Sequence, residues 1–184
     1  MLTSRFDEAF AYARLLHNKQ TRKQSQTPYI SHLMSVSSLV LEHSGDEDQA
    51  IAALLHDAAE DCGGTETLEI IRTRFGEAVA QIVADCTDSY DQIKSPWKPR
   101  KLAYISELPH KPKSSLLVSL ADKTHNAECI YSDWLVLGDL VYDRFSVERD
   151  ETLWYYREMS NIFQAGHPGP LANRLERAVI ALKA

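Results

Sequence analysis

The stretch Ala52-Ala53-Leu54-Leu55-His56-Asp57-Ala58-Ala59-Glu60-Asp61 carries the most chemistry in the sequence. Its apolar half marks a helix that packs deep in a core, yet four ionisable groups follow within six residues. Charges on a buried helix are costly unless they are paired or bind a metal ion. Glu60 follows His56 by four residues and Asp61 follows Asp57 by four, and side chains at that spacing share a helix face. His56 and Asp57 therefore aim at one region, with two carboxylates one turn further along the same surface.

A His-Asp pair alone arises readily by chance, but two further segments support it. Pro28-Tyr29-Ile30-Ser31-His32 places a histidine at the start of another helix. Ser119-Leu120-Ala121-Asp122-Lys123-Thr124-His125-Asn126 puts an aspartate directly after the apolar run Leu116-Leu117-Val118. His32, His56, Asp57 and Asp122 together offer two imidazoles and two carboxylates from three helices. The set lacks thiolate, which argues against a structural zinc site. It suits a six-coordinate Mn²⁺ or Fe²⁺ ion with positions left for water and substrate. The alternative, four separate helix–helix hydrogen bonds, needs all four residues to coincide without cause.

Glu60 and Asp61 are then expected beside the ion without being needed as ligands. One takes a proton from an attacking water or gives one to a leaving oxygen, and both assignments stay open. A role as solvated surface acids is disfavoured, because carboxylates near a helix C-terminus oppose the helix dipole.

An anionic substrate needs cations. Arg22 and Lys23 lie just ahead of His32. Between Lys94 and Lys113, six cations (Lys94, Lys98, Arg100, Lys101, Lys111, Lys113) stand against the one anion Glu107. Such a cluster steers phosphates, although a solvated face explains its individual lysines equally well. Trp97 and Tyr104 read as core residues. Trp154, Tyr155 and Tyr156 share a helix with the core residues Met159 and Phe163; one of the three is expected to line the pocket, with Trp154 and Tyr155 taken as the substrate-binding candidates.

The elements that hold these residues read as helices. Phe6, Phe10, Ala13 and Leu16 recur at helical spacing over about 4–17. A second helix covers 31–42. A third, capped by Asp46, runs to Gly63-Gly64. Two more cover 65–75 and 77–86. Asp88 to Pro99 has no period and two prolines, and reads as a long loop. Helices resume at about 100–108, 114–137, 147–164 and 170–183. The expected fold is all-α, a compact bundle of about eight or nine helices.

Its 184 residues suggest one domain over 1–184. A hydrophobic fraction of 44% with 25% charged residues excludes wholesale disorder. The longest unbroken apolar run, Ala50 to Leu55, is six residues, against the ~20 of a membrane-spanning helix. Arg5, Asp7 and Glu8 interrupt any leader core at the N-terminus. Twenty basic against 26 acidic residues, a net charge of −6, make nucleic acid an unexpected partner. Cys62, Cys86 and Cys129 show no C-x-x-C spacing and fit reduced thiols in a cytoplasmic protein.

Taken together, Arg22-Lys23, Thr27-Pro28-Tyr29-Ile30-Ser31-His32, Ala53 to Asp61 and Leu120 to Asn126 make the chain resemble HD-domain phosphohydrolases. It is most similar to the hydrolase domains of RelA/SpoT proteins and to stand-alone small alarmone hydrolases of the metazoan SpoT-homologue type. The resemblance spans about residues 4–165, and the Glu60-Asp61 extension is its discriminating part. It implies a helical HD domain with Mn²⁺ held at His32, His56, Asp57 and Asp122. It implies Glu60 and Asp61 as the catalytic pair, with Arg22, Lys23, Lys123 and Asn126 at the nucleotide. It also implies hydrolysis of the 3′-diphosphate of ppGpp or pppGpp to GDP or GTP plus pyrophosphate, with a small-molecule nucleotide as the partner. Two alternatives stand beside it: a metal-dependent phosphatase acting on another nucleotide or on NADPH, and a non-catalytic nucleotide or metal sensor.

Overall fold

The computed structural model describes residues 1–90 and 95–182. These residues form ten α-helices and two 3₁₀ segments, with one isolated β-bridge between Thr21 and Pro28. The all-α expectation holds. The helices that matter most for the site are α2, α3 and α8.

α1 (Ser4–Leu16) starts where the Thr3 side chain accepts from the Arg5 amide, and it buries Ala9 and Ala13 against α3. Between α1 and α2 (Ile30–Glu42) the chain folds back on itself. Arg22 N donates to Thr27 O at 2.9 Å, and Tyr29 N donates to Gln20 O at 2.9 Å. These bonds pin a loop whose tip carries Arg22 and Lys23.

α3 (Glu47–Leu55) opens with a capping box: the Asp46 side chain accepts from Gln49 N while the Gln49 side chain accepts from Asp46 N. Every residue from Ala50 to Leu55 is buried, so beyond its first turn α3 has no solvent face. It is surrounded by α1, α2, α6 (Glu77–Cys86) and α8 (Lys113–Leu137). Each fully buried Ile or Leu here contributes about 1.5–3 kcal/mol of hydrophobic stabilisation.

The expected single third helix is two. α3 ends at Leu55 and α4 (Ala58–Cys62) begins after the His56-Asp57 step. Both step residues keep near-helical dihedrals, and Asp61 N still donates to Asp57 O at 2.9 Å. The break therefore leaves no trace in the apolar periodicity. Gly63 at φ 142° stops α4, and Gly64 at φ 62° opens α5 (Gly64–Phe75). A Cβ on Gly64 would meet the Tyr90 carbonyl oxygen at 2.9 Å, so only glycine lets that backbone pass.

α7 (Trp97–Glu107) starts earlier than the expected 100, because Pro99 sits in its first turn, where no helical hydrogen bond is lost. Lys94 of the basic stretch lies outside the described residues. A 3₁₀ segment, Gly138–Arg144, follows α8, then come α9 (Arg149–Gly166) and α10 (Pro170–Ala181). No helix among the described residues is long and apolar enough to cross a membrane.

Candidate active site and metal centre

α2 delivers His32, the α3–α4 break delivers His56 and Asp57, and α8 delivers Asp122. His32, His56 and Asp57 each place a ligand atom within 4.8 Å of the others. Asp122 completes the group, its Oδ1 lying 3.2 Å from His32 Nε2 and 3.6 Å from His56 Nε2. Asp57 Oδ2 lies 3.0 Å from His56 Nε2 and 3.7 Å from His32 Nε2. The sequence-predicted quartet thus meets at one point.

Both Nε2 atoms are buried and have no hydrogen-bond partner among the described residues. They approach the carboxylates at ion-pair distance without hydrogen-bond geometry. Two partnerless imidazole nitrogens facing two carboxylates match the donor types of a divalent-cation site, and the residues present fit one.

Each of these four side chains is held from behind. His56 Nδ1 donates to Ala53 O at 2.8 Å, which leaves its Nε2 as the nitrogen turned to the carboxylates. Tyr29 Oη donates to Asp57 Oδ2 at 2.6 Å. Asn126 Nδ2 donates to Asp122 Oδ1 at 2.5 Å, and Lys123 Nζ to Asp122 Oδ2 at 2.5 Å. His32 Nδ1 lies 2.8 Å from His125 Nδ1.

The electrostatics follow from this packing. Burial pushes His32 down, towards the neutral imidazole a metal ligand must be. Burial opposes the charge on His56 too, but Asp57 and Asp122 outweigh it and raise that ring well above its ordinary value. Burial also works against ionisation of Asp57 and Asp122. His56 nevertheless holds Asp57 below the usual carboxylate range, and Lys123 does the same for Asp122. The two carboxylates therefore stay anionic, and their field favours positive charge between the rings. His125, pushed down to about 4 by burial with His32 and Arg22 nearby, is neutral at pH 7.

This cluster lies at the wall of a cavity of about 690 Å³. Glu60 and Asp61 both line it. Asp88 N donates to Glu60 Oε2 at 3.5 Å, and Gln20 Nε2 donates to Asp61 Oδ2 at 2.8 Å. Arg22, Lys23, Lys123 and Asn126 line it as well, and Arg22 Nη2 donates to Asn126 Oδ1 at 2.6 Å. Asn126 is thereby both a cavity residue and a direct support of Asp122.

The aromatic candidates separate. Tyr155 lines the cavity, buried, with its hydroxyl lacking a partner among the described residues. Trp154 does not line it. It packs edge-on against Trp97 at 6.3 Å between ring centres, with Lys98 Nζ 3.3 Å from its ring centre. Tyr156, the next residue, is also buried and lines the cavity, so α9 turns the two tyrosines inward and Trp154 away. Trp97, expected in the core, is half-buried and lines the cavity. Among the described residues of the basic stretch, only Lys101 reaches the cavity wall. Both Lys101 and Arg100 are tied to Asp88, at 2.5 and 2.7 Å. Lys98 reaches Glu151, and Lys111 bonds the Asp85 carbonyl.

Tyr29 and His125 stand inside the sequence motifs without a role of their own there. His125 was legible: Asp122, His125, Asn126 and Cys129 fall at i, i+3, i+4 and i+7 on one helix face. Tyr29 was not, because its partner Asp57 is 28 residues away. Asp88, Gln20 and Arg144, the last paired with Asp133 at 2.6 Å, likewise depend on contacts made only by folding.

Helices converging two histidines and two aspartates on a buried point define an HD-type metal-site architecture. Residues 9–136 match the HD domain, and the chain belongs to that family, as its motifs suggested. Over 122 residues it is 38% identical to the guanosine-3′,5′-bis(diphosphate) 3′-pyrophosphohydrolase MESH1 of Xenopus tropicalis, covering 65% of each chain. The Drosophila melanogaster protein of the same name is 33% identical over 127 residues, 67% of this chain and 68% of that one. The chain thus spans about two thirds of the length of these relatives. A solved structure described as a metazoan orthologue of SpoT that hydrolyses ppGpp superposes with a TM-score of 0.79 at 25% identity. It covers 97% of this chain and 95% of that one.

Proposed function

We propose that this chain is a Mn²⁺-dependent hydrolase that removes the 3′-diphosphate of guanosine alarmones, converting ppGpp or pppGpp to GDP or GTP plus pyrophosphate. The observation that carries the reading is the pair of orphaned buried Nε2 atoms facing Asp57 and Asp122 beside a cavity lined by both acids and cations. The similarity to proteins named for this reaction supports the substrate. A cytoplasmic location and one domain over 1–184 accord with it.

His32, His56, Asp57 and Asp122 would hold the ion. Bound there, a divalent ion supplies Lewis acidity that lowers the pKa of water and neutralises phosphoryl oxygens. The remaining work falls to side chains. Arg22, Lys23, Lys101 and Lys123 bind phosphate oxygens, and Tyr155 offers its free hydroxyl. A water oxygen bonds to the phosphorus attached to the 3′ oxygen, and the bond from that phosphorus to the 3′ oxygen breaks. One of Glu60 and Asp61 accepts the proton of the water, and the other delivers one to the departing 3′ oxygen.

The test is turnover of a nucleotide panel with Mn²⁺, the products separated by chromatography. Pyrophosphate from ppGpp is expected. Orthophosphate released from NADPH, with ppGpp untouched, would overturn the substrate. Nucleotide binding without any turnover would make the chain a sensor.

A further inference from the structure

His32 is 1% exposed, and its two ring nitrogens have different surroundings. Nε2 faces the Asp57 and Asp122 carboxylates. Nδ1 faces another imidazole nitrogen, Nδ1 of His125, at 2.8 Å. Two neutral rings in that contact share a single hydrogen: two lone pairs would repel and two N–H groups would collide. Which ring owns the hydrogen decides what the other end of His32 is. If His32 donates, its Nε2 is a lone pair and ligates. If His125 donates, neutral His32 carries its hydrogen on Nε2, aimed at Asp122 Oδ1, and ligation is blocked.

The other imidazole of the centre has no such choice. His56 Nδ1 faces the Ala53 carbonyl, which only accepts. His32 alone is backed by a group able to play either part. The Cys129 sulfur, one helical turn along, lies 3.6 Å from His125 Nε2 and 3.8 Å from its Nδ1. When His125 Nδ1 accepts from His32, the hydrogen of its own neutral ring sits on Nε2, the nitrogen nearer that sulfur. α8 also carries Asp122 three residues before His125, so one helix brings both a ligand and the group that orients its neighbour.

We propose that His125 is a positioning residue of the metal centre, accepting the Nδ1 hydrogen of His32 and so fixing the tautomer whose Nε2 binds a divalent cation. This role rests on the reading of His32, His56, Asp57 and Asp122 as the metal site. Outer partners of ligating histidines govern metal affinity by about 10–100-fold.

Two measurements test it. Long-range ¹H–¹⁵N spectra of the metal-free parent read the tautomer directly, with hydrogen expected on Nδ1 of His32. Hydrogen on Nε2 overturns the proposal, and this readout needs no variant to fold. Calorimetric titration with Mn²⁺ then compares the parent with His125→Phe and His125→Asn. The Phe variant should lose about 10–100-fold in affinity. The Asn variant, whose amide oxygen can accept where Nδ1 did, should recover most of it. A folded His125→Phe with the parent's affinity overturns the role of His125 and leaves the metal site standing. A parent that takes up no divalent ion overturns the metal site itself, and this role with it.

Discussion

Arg22 and Asn126, 104 residues apart in the chain, are joined by a 2.6 Å hydrogen bond from the guanidinium to the amide oxygen. The same amide donates through Nδ2 to Asp122 at 2.5 Å. One path of hydrogen bonds therefore runs from a cation in the cavity wall to the Asp122 carboxylate, and it fixes the orientation of the Asn126 amide.

Arg22→Ala should separate substrate binding from metal binding. The variant loses a charge-assisted hydrogen-bond donor worth about 1.5–3 kcal/mol. Its kcat/KM on the best nucleotide should fall about 10–150-fold. Asn126 still donates to Asp122, so the metal content of the purified variant should match the parent. Unchanged kcat/KM would make Arg22 a structural residue only.

Asp57→Ala should remove the metal. Asp57 Oδ2 is the oxygen nearest His56 Nε2, at 3.0 Å, and it also accepts from Tyr29. Losing it takes one anionic ligand from a set of four and leaves the Tyr29 hydroxyl to find another partner. Elemental analysis should find the ion depleted and turnover absent. Full metal content with full turnover would sink the assigned site.

The residues most legible in sequence were those that violate a local pattern. His56 and Asp57 interrupt an apolar helix, and Asp122 follows an apolar run; each signal lies within a few neighbours. The HD fold followed from the same segments. The α3–α4 break was hidden because His56 and Asp57 keep near-helical dihedrals and the apolar residues on either side stay in phase. The start of α7 was hidden by Pro99, which reads as a breaker unless the first turn is located. Trp154 and Tyr155 were indistinguishable as adjacent aromatics until α9 turned one towards the cavity. The Asp88 cluster joins α7 to a loop, and nothing local to Asp88 announces two cations 12 and 13 residues on.

That cluster sets an acid dependence of stability. Burial works against the charge of Asp88, but Lys101 and Arg100 hold its carboxyl below the ordinary range. A carboxylate depressed in the folded state stabilises it above the unfolded pKa of about 3.9, and that contribution is lost as pH falls through the folded value. Asp88→Asn should cost about 1.5–3 kcal/mol at pH 7, the range for a hydrogen bond to a charged group. The gap between parent and variant in urea unfolding should narrow below about pH 4. A gap that stays constant down to pH 2.5 would show that Asp88 acts by shape and not by charge.

Glu60 and Asp61 provide the cleanest separation of chemistry from metal binding. Both line the cavity one turn beyond His56 and Asp57, and both are placed by neutral donors: the Asp88 amide reaches Glu60, and Gln20 reaches Asp61. The double substitution Glu60→Gln with Asp61→Asn keeps size and the ability to accept those bonds, and removes the groups proposed to move protons. Hydrolysis should fall about 10²–10⁴-fold, the range for positioned acid–base groups. Metal content should remain near that of the parent, since His32, His56, Asp57 and Asp122 are untouched. Nucleotide should bind at least as tightly, because two negative charges near its phosphates are gone. Calorimetry with ppGpp and Mn²⁺ on the double variant reads metal and nucleotide together. A variant that binds nucleotide but has lost its ion would move Glu60 or Asp61 into the coordination shell. One that keeps its ion and full turnover would leave proton transfer to groups outside the pair.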